Sequence, residues 1–119
     1  MNFLNYLATI AIIIVVDLPW LMLGSKTSKA MILSIQGSEL TIRWFAALVV
    51  YFALAYLAHL PKDNTEAFLL GLCIYAVYDF TNYSTLKNYS LKFAVMDSLW
   101  GGVLFVIVFN ILKWLKLDK

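Results

Sequence analysis

The sequence is poor in the residues from which soluble active sites are built. It holds one cysteine and one histidine, and charged residues make up 13% of the chain. A lone Cys73 excludes an internal disulfide and fits no metal-ligand spacing, so cysteine usage says nothing about redox compartment. It reads as a small packing residue within an apolar run. The single histidine, His59, excludes a histidine cluster for zinc and reads as an interfacial residue without a role. No Ser-His-Asp set, HExxH helix or glycine-rich phosphate loop can be assembled. Two prolines and five glycines leave little material for linkers, and no internal repeat or low-complexity tract is visible. Neither charge sign dominates, with nine basic residues against seven acidic ones, which excludes a nucleic-acid partner. The N-terminus lacks the basic region and small-residue cleavage site of a signal peptide.

What the chain has in abundance is apolar surface. Of its 119 residues, 63% are hydrophobic and the mean hydropathy is +0.83. Soluble domains sit near half apolar. The class that follows is an all-α integral membrane protein of one domain, residues 1–119, with the lipid bilayer as its first partner. Four runs approach the roughly 20 residues that a bilayer requires, at about 3–23, 42–60, 65–83 and 93–114. Their backbone groups find no water in lipid, so helices are expected. IAIIIVV and VLFVIVF show no strand alternation. The link from 24 to 41 contains Met31, Ile32, Leu33 and Ile35 and fits a short interfacial helix. Pro61 stops the second run, and Asn64 or Thr65 caps the third. Pro19 is expected to kink the first.

An even number of spans places both termini on one side, here called side A. Four basic residues on side A against five on side B leave orientation undecided. The antiparallel order has a geometric consequence. Asp17 lies seven residues from Gly24, Asp79 five from Ser84 and Asp97 five from Lys92. At the helical rise, all three lie roughly 8–10 Å inside side B. Three carboxylates from three helices thus share a layer.

Asn82 and Tyr75 share a helix face with Asp79. Ser98 adjoins Asp97, Trp20 and Trp100 flank the layer, and Arg43 enters from side B as a counter-ion candidate. An ionised Asp at the membrane centre costs about 2.5–3.5 kcal/mol. The acids should therefore face inward, with donors around them and a proton shared among them. Two readings follow. The acids form a buried hydrogen-bond network that sets helix register, or they line a polar cavity open to side B. Such a cavity would take a proton, a cation such as Na⁺, Ca²⁺ or Mg²⁺, or a small polar solute. No other cofactor is expected. Small-residue spacings, Ala67 with Gly71 and Ser98 with Gly102, mark close helix packing or a homo-oligomer face; Gly101 adjoins the second. Tyr6, Trp44, Tyr89 and Trp114 read as interface anchors.

The stretch GLCIYAVYDFTNYSTLK, residues 71–87, resembles the signature of a family of small bacterial and viral membrane proteins, domain of unknown function 2177. The matching residues are Gly71, Tyr78, Asp79, Thr81, Asn82, Thr85, Leu86 and Lys87. The likeness continues in the fourth run at Asp97, Trp100 and Gly101, and in the first at Asp17 and Trp20. Pro19, Gly102 and the 24–41 link depart from the pattern. The resemblance implies four spans and a signature centred on the acidic layer, and it implies no reaction. Lys outnumbers Arg eight to one, and Asn, Ile, Tyr and Phe are plentiful, a bias of AT-rich genomes, viral ones included. Function at this level divides three ways. The chain binds or permeates a proton, cation or small polar solute; it is a structural or assembly protein, for example of a virion membrane, meeting a membrane-protein partner; or it is a lipid-acting enzyme. The last lacks a nucleophile and ranks below the others.

Overall fold

The computed structural model describes residues 2–118. Lys119, counted above with the side A bases, lies outside them. The described residues form four helices and no strand: α1 (Phe3–Gln36), α2 (Trp44–Ala58), α3 (Asn64–Thr85) and α4 (Leu91–Trp114).

Local chemistry sets most helix ends. The Asn2 side chain accepts from Asn5 N–H at 2.8 Å and opens α1. The α3 cap is Asp63 rather than Asn64 or Thr65: its carboxylate accepts from Glu66 N–H at 2.8 Å, and Glu66 reaches back to Lys62 N–H at 2.9 Å. This is a capping-box exchange displaced by one residue. Ser90 caps α4 through Phe93 N–H.

The largest departure from expectation lies in α1. No separate interfacial helix follows the first apolar run. Instead α1 continues through Pro19 and Gly24 for 34 residues and ends at Gly37, whose φ of 75° suits a left-handed cap. A glycine inside a helix costs only about 1 kcal/mol. The extension recovers that by packing Met31 and Ile35 against Tyr89, Phe93 and Ala94 at the start of α4. The Asn88 amide also donates to Ser34 O at 3.3 Å.

α3 and α4 are the most intimate pair, α1 packs on both α2 and α4, and α2 touches α4 lightly. Glycine explains the first contact. A Cβ at Gly71 would collide with the Gly101 carbonyl, and one at Gly101 with the Tyr75 ring. Gly102 likewise receives the Phe68 ring. The apolar core joins Ile13, Leu54, Ala55, Ala58 and Ala67 to Leu104, Phe105, Val108 and Leu112, all in the side A half. His59 contributes there too. Thr9, fully buried, donates to Asn5 O at 2.8 Å, leaving its oxygen to pair with His59 Nε2 at 2.8 Å. The histidine therefore ties α2 to α1. Cys73, by contrast, faces outward from α3 and packs nothing in the core.

The outer surface is apolar. Leu4, Met22 and Leu23 on α1, Trp44 and Phe45 on α2, and Trp114 at the end of α4 are all strongly exposed. Soluble monomers rarely present apolar patches on this scale. By length and composition α1 and α4 suffice to cross a membrane. α2 is apolar but has 15 residues, about 22 Å of rise. α3 is long enough at 22 residues but carries Glu66, Asp79 and Asn82.

Candidate functional site

Asp17 on α1 and Asp97 on α4 are held by a reciprocal brace. Trp20 Nε1 donates to Asp97 Oδ1 at 2.8 Å, and Trp100 Nε1 donates to Asp17 Oδ1 at 2.8 Å. Each helix thus contributes one acid and, three residues on, one indole. Because α1 and α4 run in opposite directions, the two Asp-x-x-Trp segments face each other head to tail. The indoles stack between them, with centroids 5.8 Å apart and planes 19° from parallel. Tyr51 of α2 places its hydroxyl against the Asp17 carboxyl.

Asp79 sits behind this pair. Its residue surface is 0% exposed. Tyr89 O–H donates to Oδ1 at 2.8 Å, and Oδ2 has no hydrogen-bond partner among the described residues. The Asp97 carboxyl lies within hydrogen-bonding reach of Asp79. Asp97 therefore neighbours both of the other acids, Asp17 and Asp79. Tyr89 is buried between Asp79, Phe93 and Met31, which corrects its reading as an interface anchor. Burial and its hydrogen bond to the adjoining Asp79 carboxyl push its phenol well above the usual range, so it acts as a donor.

A cavity of about 460 Å³ opens in front of Asp17 and Asp97, where α2 and α3 stay apart. Tyr51, Tyr75, Tyr78 and Trp20 line it with the two acids. Leu21, Val50, Leu54, Ile74 and Phe93 supply apolar wall, and Gly24, Ser28 and Ile42 lie toward side B. The described lining contains no Lys, Arg or His. Leu54 belongs both to this lining and to the packed side A core.

The remaining predicted site residues are dispersed. Asn82 stands beside the Tyr89 hydroxyl and supports the Asp79 donor. Arg43 is exposed at the α2 N-cap and gives none of the hydrogen bonds that reach the acids. A guanidinium loses less in water than in this pocket. Ser98 is buried, but its hydroxyl is spent on Ala94 O at 2.7 Å. Thr81 is exposed, and its carbonyl accepts from Ser84 and Thr85. Gly71, Gly101 and Gly102 serve the α3–α4 contact. Among the described residues no three His, Cys, Asp or Glu side chains are grouped to hold a metal ion.

Sequence reasoning missed Tyr51 and the functional role of Tyr89. Tyr51 was within reach of the same depth arithmetic, eight residues after Arg43, or about 12 Å from side B. The doubled Asp-x-x-Trp spacing was a further signal for the brace.

The acids, indoles and glycines that build this site lie within the segment matched by one family description, "Predicted membrane protein (DUF2177)", over residues 2–112. The chain belongs to that family. Membership makes it a predicted membrane protein of the DUF2177 family and assigns no reaction. No curated protein and no solved structure matches it.

Proposed function

We propose that the chain is a multi-pass membrane protein whose four helices all lie in the bilayer, and that it binds a small organic cation in the side B cleft. One observation carries the reading: a cavity of about 460 Å³ with two carboxylates, four aromatic side chains bearing hydroxyl or indole groups, otherwise mainly apolar walls, and no basic residue in its described lining. A metal ion would meet only Asp17 and Asp97 there. An alkylammonium gains from both the carboxylates and the aromatic faces, a combination worth about 2 kcal/mol or more per cation–π contact when desolvated. The packed side A core supports binding over permeation.

The test is equilibrium binding of a quaternary ammonium to the protein in lipid nanodiscs. Asp17→Asn and Asp97→Asn should each weaken binding at least tenfold, with Na⁺ a poor competitor. Equal binding by wild type and both variants would sink the proposal.

A second reading rests on the reciprocal Trp–Asp brace. All three acids already accept a hydrogen bond, which supports a packing role in a structural or assembly protein. That reading predicts that the Asn variants lose stability and that wild type binds no cation.

A further inference from the structure

The cleft leaves one feature unused: the Asp79 carboxyl, fully buried, with one oxygen unpartnered and the Asp97 carboxyl in hydrogen-bonding reach. Two ionised carboxylates do not occupy adjacent positions in apolar surroundings without a cation or a proton between them. The titratable groups that face the pair are Asp17 from α1, Tyr75 on α3 and Tyr89 from the α3–α4 link, with Tyr51 from α2 one step removed beside Asp17. None of them is basic. A proton on Asp79 Oδ2, donated to Asp97, satisfies both carboxyls at once.

Asp97 is also the member of this pair that lines the cleft, whereas Asp79 does not reach it. Asp97 can therefore be neutralised from either side: by the proton behind it or by a cation in front.

We infer that the site is an exchanger of one cation for one proton, in which a cation entering the cleft against Asp97 displaces the proton that Asp97 shares with Asp79. This deepens the cation-binding reading and rests on it. The balance is simple: one cation binds, one proton leaves, and no covalent bond changes except the O–H of Asp79. The departing proton leaves from the Asp79–Asp97 contact and is taken up by the buffer. Tyr89 O–H donates to Oδ1 of Asp79 in both states and holds the carboxylate when the proton has left.

The experiment is calorimetric binding of tetraethylammonium, which carries no proton of its own, to the full chain in nanodiscs. It is run in buffers of different ionisation enthalpy and across a pH series. The expected result is close to one proton released per cation, with affinity falling about tenfold for each unit of pH decrease in the range where the pair is protonated. Asp79→Asn should bind with no proton release and no pH slope, while Asp79→Glu should restore both. The ligand-free wild type should also show a carboxylic-acid carbonyl band in the infrared that tetraethylammonium removes, a readout that needs no variant to fold. Binding without proton release overturns the exchange and leaves the cation site standing. Absence of binding overturns both. A wild type that lacks the infrared band overturns the shared proton directly.

Discussion

Trp100 Nε1 lies 2.8 Å from Asp17 Oδ1, and Trp20 returns the same contact to Asp97. The relationship crosses from α4 to α1 twice, with the indoles stacked at its centre. It leaves two carboxylates bonded at one oxygen each and still facing a cleft. The indoles are neutral donors, so they satisfy these oxygens without cancelling the carboxylates' charge.

The brace should be measurable as a coupling. Trp100→Phe and Asp17→Asn remove the two ends of one hydrogen bond. A double-mutant cycle on thermal unfolding in detergent should return an interaction of about 1–2 kcal/mol. The same value should come from Trp20→Phe with Asp97→Asn. Additive effects in both cycles would mean that the contacts contribute little.

Glycine substitutions should separate cleanly by position. Gly71→Ala places a methyl on the Gly101 carbonyl and Phe105, and should destabilise by about 1–3 kcal/mol or more. Gly24→Ala meets nothing within 4 Å. Inside an unbroken helix it should stabilise by about 0.5–1 kcal/mol. Unfolding temperatures of the two variants relative to wild type decide the matter, and a stabilising Gly71→Ala would contradict the packing described.

Tyr89→Phe should remove the Asp79 donor and cost about 1–3 kcal/mol near neutral pH. The pH dependence has a definite sign. The folded phenol holds its proton above the ordinary value of 10.0, so the folded state binds more protons than the unfolded one in alkali. The stabilisation is complete below about pH 10 and declines as pH rises beyond it. Wild type should therefore lose more stability than Tyr89→Phe in an alkaline titration followed by circular dichroism.

Cys73 offers a direct test of how α3 is placed. It is exposed on the outer face of that helix, nine residues from its Asn64 start. If all four helices lie in the bilayer, an apolar maleimide should label Cys73 in membranes. A charged, membrane-impermeant thiol reagent should not, from either side. Rapid labelling by the charged reagent would place α3 in water.

The helices were legible in the sequence because their causes are local. Long apolar runs without alternation and a proline stop at Pro61 need no knowledge of the rest of the chain. α1 shows the limit of local reasoning. Gly24 looks like a helix end, yet Met31 and Ile35 find Tyr89 and Ala94 only in the folded chain, and that contact carries the helix on to Gly37. Cys73 was misread for a related reason, since its face of α3 depends on where α4 packs.

The candidate site divides along the same line. The chain alone determined the depth of Asp17, Asp79 and Asp97 along their own helices, because helical rise converts residue counts into distances along an axis. Tertiary structure alone decided their partners. Depth says nothing of azimuth, and azimuth follows from the glycine contact that draws α3 onto α4 and from the antiparallel meeting of two Asp-x-x-Trp segments. That packing gives the acids Trp20, Trp100, Tyr51 and Tyr89 in place of Arg43. It also leaves Asp17 and Asp97 on the cleft and Asp79 buried behind them, because interhelical contacts longer in range than any sequence spacing decide which side chain faces the space.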